Sequence, residues 1–85
     1  MSQLSAERLK ILTEALKHRQ REVLHHQINI DNYTLAIAEV EARYADDAQM
    51  AEFANRLRDL LASSKIEQAK ETIMRDVISK QLEEQ

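Results

Sequence analysis

Eighty-five residues bound this chain to one modest domain, and it contains no glycine, no proline and no cysteine. Disulfides, cysteine-based metal or redox sites and glycine-rich phosphate loops are thereby excluded, as are the usual hairpin turns that need a positive φ. A net charge of −3 does not mark a polyanion binder. The charge is polarised all the same, with +3 between Arg8 and His26 and −4 between Asp31 and Asp59. Composition therefore points to a single all-α domain over residues 1–85. The N-terminal MSQLSAERLK lacks an apolar leader core and no segment has bilayer-spanning length, so a soluble cytoplasmic protein is expected.

The first expected element is one long helix over about 5–44. Alternate steps of three and four from Leu9 meet Leu12, Leu16, Arg19, Val23, His26, Ile30, Tyr33, Ile37, Val40 and Tyr44 without losing phase. That is a heptad seam, the signature of a helix laid along another. The INIDN stretch (Ile28–Asn32) has low helix propensity and offers Asp31 as an alternative N-cap, but the unbroken phase favours continuity. Leu24, Ile28 and Leu35 form a second apolar stripe away from the seam, continued by Ala38 and Ala42. A helix apolar on two sides requires cover on two sides.

A second helix is expected over about 47–62. Asp46 with Gln49 has the form of a capping box, and Met50, Phe53, Ala54, Leu57, Leu60 and Leu61 share a face. That apolar face stops at ASSK (Ala62–Lys65), where Ser64 with Glu67 resembles another capping box. The pattern predicts a break there and a third helix over about 65–82, with a single kinked helix as the alternative. Ile66, Ala69, Ile73 and Val77 point roughly opposite to the preceding face, and Met74, Ile78 and Leu82 lie between. Two short helices cannot cover a long one in a chain this small. A coiled-coil-like homodimeric bundle is therefore expected, with the long helices antiparallel so that each basic half meets an acidic half.

The stretch HRQREVLHHQINIDNY (His18–Tyr33) gathers three histidines and two arginines within the apolar repeat. Glu22 and His25 have the Glu-x-x-His spacing that supplies di-iron ligands in helical bundles, with His18 and His26 four residues to either side. His25 falls on the outer part of the wheel, so no metal site or cofactor is expected. Arg8, Lys10, Lys17 and Arg21 could contact phosphates, but Glu7, Glu14 and Glu22 are interspersed and no aromatic stacking platform accompanies them. No nucleophile with a nearby base appears, so no enzyme is expected. Arg19 and His26 occupy seam positions, where polar residues fix register at some cost in stability.

The run HHQINIDNYTLAIAEVEARYADDAQMAEFANRLRDLLASSKIEQAKETIMRDVI (His25–Ile78) resembles the short helical accessory proteins encoded by lambdoid phages and enterobacterial prophages. The resemblance implies a small soluble regulator or inhibitor that acts by binding a host or phage protein, and it carries no site residues. A non-enzymatic protein-interaction module is the expected function. Candidate contacts are Leu24, Ile28, Leu35, Ile73, Val77 and Ile78. The alternative is a small helical nucleic-acid-binding protein using the basic half of the first helix.

Overall fold

The computed structural model describes residues 5–84, which form two long helices, α1 (Ala6–Arg43) and α2 (Ala48–Glu83), folded back on one another. At 1.5 Å per residue they run about 57 and 54 Å. The hairpin is accordingly a rod of 64 × 14 × 14 Å. The expected continuity of α1 through Ile28–Asn32 is observed.

Capping explains how the chain reverses without glycine. Ser5 accepts the Arg8 amide at 3.1 Å and opens α1. At the far end, Arg43 pairs with Glu39 at 2.8 Å and lies in the last turn, where a cation meets the exposed carbonyls favourably. The Tyr44 amide still donates to Val40 O (2.8 Å), and the Asp47 amide donates to Tyr44 O (3.1 Å). No described residue has positive φ. Asp47 then accepts the Met50 amide at 3.1 Å as N-cap of α2. The expected cap, Asp46 with Gln49, is thus displaced by one residue. Either aspartate disfavours continuing α1, whose C-terminus is the negative end of its dipole, and favours starting α2.

The expected third helix does not exist, because α2 passes through ASSK unbroken. Its inward positions run Met50, Ala54, Leu57, Leu61, Ser64, Gln68, Glu71, Arg75, Ile78 and Leu82, a heptad as regular as that of α1, and every one is buried or half-buried. Only its chemistry changes. Four consecutive inward positions, from Ser64 to Arg75, are polar, so the apolar signal vanishes while the helix goes on. Ser64 and Glu67 therefore sit inside the helix and cap nothing. Ile78, expected as a partner contact, is a core residue at 6% exposure.

The α1 seam packs against α2 of the same chain. Leu9, Leu12, Leu16, Arg19, Val23, His26, Ile30, Tyr33, Ile37 and Val40 are all buried or half-buried, while Tyr44 at the turn is exposed. Two helices make a thin core. The buried apolar residues are Ile30, Val40, Ala54, Leu57 and Ile78, and none is fully enclosed. The accessible surface of 6451 Å² exceeds the roughly 5,200 Å² typical of a folded monomer of 9.9 kDa. The radius of gyration, 18.9 Å, likewise exceeds the roughly 12 Å of a compact chain of this length.

Candidate functional site: two outward apolar stripes on a polar-centred hairpin

The middle of the hairpin is held by polar contacts. Arg19 Nη1 donates to both carboxylate oxygens of Glu71, at 3.1 and 3.0 Å, joining α1 to α2. Gln68 Nε2 donates to Val23 O at 3.2 Å and to Gln27 Oε1 at 2.9 Å, tying α2 to the backbone and side chains of α1. Nearer the turn, Arg58 pairs with Glu41. No described buried side-chain nitrogen or oxygen lacks a partner. Arg19 lies between the two helices, and its partner is Glu71 of the same chain. Such a bridge adds little net stability but disfavours other registers, because sliding the helices would strand both charges.

This predicts a measurable coupling. Glu71→Leu is expected to cost about 1 kcal/mol, the low end for a broken pair because the two side chains keep 32% and 20% of their exposure. Adding Arg19→Leu should recover that loss or more. Urea titrations of the two single variants and the double check it, and equal losses in Glu71→Leu and the double would contradict it.

The apolar residues missing from the centre are found outside. On α1, Leu24, Ile28 and Leu35 are 59%, 48% and 65% exposed. On α2, Ile66 and Ile73 occupy the heptad position opposite the seam, with Val77 beside them, and all three are exposed. Phe53, Leu60 and Met74 extend this surface along one flank of α2. Each stripe lies on the back of its helix, so the two face away from each other across the rod. Of the expected contacts, Leu24, Ile28, Leu35, Ile73 and Val77 are therefore accessible. Ile66, which the sequence places roughly opposite the Met50–Leu61 face without making it a contact, is 58% exposed and lies with them.

The remaining candidate residues lie along α1. Arg8, Lys10, Lys17 and Arg21 are exposed on α1, with exposed Glu7 just before them and exposed Glu14 between Lys10 and Lys17. His25 Nδ1 lies 3.7 Å from Glu22, and its ring stacks on that of His26 with centroids 5.7 Å apart. No group of three or more potential ligands among the described residues is placed to hold a metal ion. A half-open hollow near the turn, lined by Val40, Tyr44, Ala54 and Arg58 among others, has about 120 Å³. Shallower open depressions of about 470 Å³ beside Ala42 to Asp47 and about 330 Å³ beside Ser5, Arg8 and Ile11 lie on the surface. No helix among the described residues is long and apolar enough to cross a membrane.

No protein-family model, curated protein or solved structure matches this chain. The fold and its surfaces rest on the chain's own residues: this is an all-α helical hairpin with unburied apolar backs.

Proposed function

We propose that this chain is a non-enzymatic protein-interaction module of the cytoplasm, which self-associates and uses its outward stripes as binding faces. A phage-type regulator or inhibitor acting on a host or phage protein is the biological form of this reading. The carrying observation is the inversion of the hairpin. Arg19, Gln68, Glu71 and Arg75 occupy inward positions at its centre, while Leu24, Ile28, Leu35, Ile66 and Ile73 face outward. Contiguous exposed apolar surface on a small protein marks an interaction site. A helix face that meets its partner through i, i+4 and i+7 anchors is the usual form, and Leu24, Ile28 and the exposed Asp31 and Leu35 have that spacing.

Salt dependence separates this reading from binding to nucleic acid through Arg8, Lys10, Lys17 and Arg21. Assembly through apolar faces should keep its solution mass between about 50 and 200 mM salt, whereas phosphate binding through several cations loses orders of magnitude over that interval. A labelled 20-base-pair duplex, titrated at both salts, should show no steeply salt-dependent complex. A complex that forms at low salt and dissolves at higher salt would overturn the reading.

A further inference from the structure

We propose that the outer stripe of α1 is a twofold homodimer interface. Two chains lie antiparallel, with Leu24 and Ile28 of each copy at the centre and Arg21 of each copy paired with the partner's Asp31. The proposal rests on the self-association inferred above and names the surface and register that produce it.

The stripe reads Lys17, Arg21, Leu24, Ile28, Asp31 and Leu35, in alternating steps of four and three, and all six residues are exposed. Two such stripes packed antiparallel pair each residue with one at a fixed sum of positions. When Leu24 meets the partner's Ile28, that sum is 52, and the same register sets Arg21 opposite the partner's Asp31. Lys17 then lies opposite the partner's Leu35, which its methylenes can cover while the ammonium reaches water. Apolar residues thus meet apolar residues at the axis, and opposite charges close both ends. Gln27 donates to Asp31 at 2.9 Å, which orients the carboxylate while leaving it acceptor capacity for a guanidinium.

One-heptad slides and the parallel pair are worse on charge or on burial. Sliding by one heptad sets Ile28 against the partner's Asp31, or Arg21 against the partner's Leu24. A parallel pair would set Arg21 against Arg21 and Asp31 against Asp31. The α2 stripe is not self-complementary either. Its exposed series is Asp59, Ala62, Ile66, Ala69, Ile73 and Asp76. Antiparallel pairing of Ile66 with the partner's Ala69 brings Asp59 against the partner's Asp76 at both ends. The α1 register also overlaps the two helices from residue 9 to residue 43, almost the whole of α1. Each chain, drawn out as a rod, exposes about 1,250 Å² more than a compact monomer over its whole surface, and a standard interface would cover about 800 Å² per partner.

A charge-reversal cycle tests this on the full chain by sedimentation equilibrium, with circular dichroism reporting that helicity is kept. Arg21→Asp and Asp31→Arg each place two like-charge pairs across the axis and should raise the dimer Kd at least about tenfold. The double variant restores opposite charges and should return to within about threefold of the parent. If the parent is dimeric but neither reversal weakens it, or the double does not recover, this interface falls while self-association stands. A parent that stays at 9.9 kDa throughout overturns both.

Discussion

Ser63→Pro is expected to lower the stability of the hairpin by about 3 kcal/mol, the cost of proline in a helix interior. Ser63 is exposed, so the change removes no packing. It removes a backbone donor and sets the ring against the preceding turn, sixteen residues into α2. A chain of this length has a total stability of about 4–13 kcal/mol, so the loss is large. Taking about 1 kcal/mol per molar urea for a small domain, the midpoint should fall by roughly 3 M. Were ASSK a junction between two helices, proline would sit near a helix start and cost little. A midpoint displaced by less than about 0.5 M would contradict the continuous α2.

Leu57→Ala should cost about 2–3 kcal/mol, because Leu57 is 6% exposed and its truncation opens a cavity in a thin core. The matching change on the outer face, Ile73→Ala, removes a residue already 62% exposed and should cost under about 0.5 kcal/mol of hairpin stability. The two differ in kind as well as size. The Leu57 loss belongs to the fold of each chain and should persist at any protein concentration. Urea titrations of both variants at two concentrations check the contrast. Similar losses would mean that Ile73 is as enclosed as Leu57 and that the inward and outward faces of α2 are wrongly assigned.

The first helix was legible from its sequence because its seam is apolar almost throughout. Leu9 to Val40 keep one phase, and that phase carries the helix through Ile28–Asn32 despite poor local propensity. The second helix was half legible. Met50 to Leu61 announce themselves, but the inward positions Ser64, Gln68, Glu71 and Arg75 are polar, while Ile66 and Ile73 point outward. An apolar-periodicity reading then finds a face that stops and another that begins elsewhere, and it places a break between them. The same misphasing gave Ile78, a core residue, an intermediate direction and put it among the candidate contacts. Following heptad positions regardless of polarity would have carried α2 through. Asp46 and Asp47 are adjacent with equal capping chemistry, so a one-residue error between them follows from the residues themselves.

The seam also shows what periodicity leaves open. It states that a helix needs a partner along a stripe, not whether that partner is in the same chain. Here α2 supplies it, and the antiparallel order follows from the short turn at Tyr44–Asp47. The outer stripe of α1 was legible as apolar residues off the seam. Its charged ends became meaningful only when Leu24, Ile28 and Leu35 proved exposed and the seam proved occupied. Burying each of these three side chains is worth about 1 kcal/mol at half exposure, and symmetry doubles that in a twofold pair.

The proposed role of the outward stripes as interfaces is decided by solution mass. Sedimentation equilibrium of the full chain across roughly 1–100 μM, the range over which weak and strong self-association are told apart, should give about twice the 9.9 kDa chain mass at the upper concentrations. A mass of 9.9 kDa across the whole range would contradict the account.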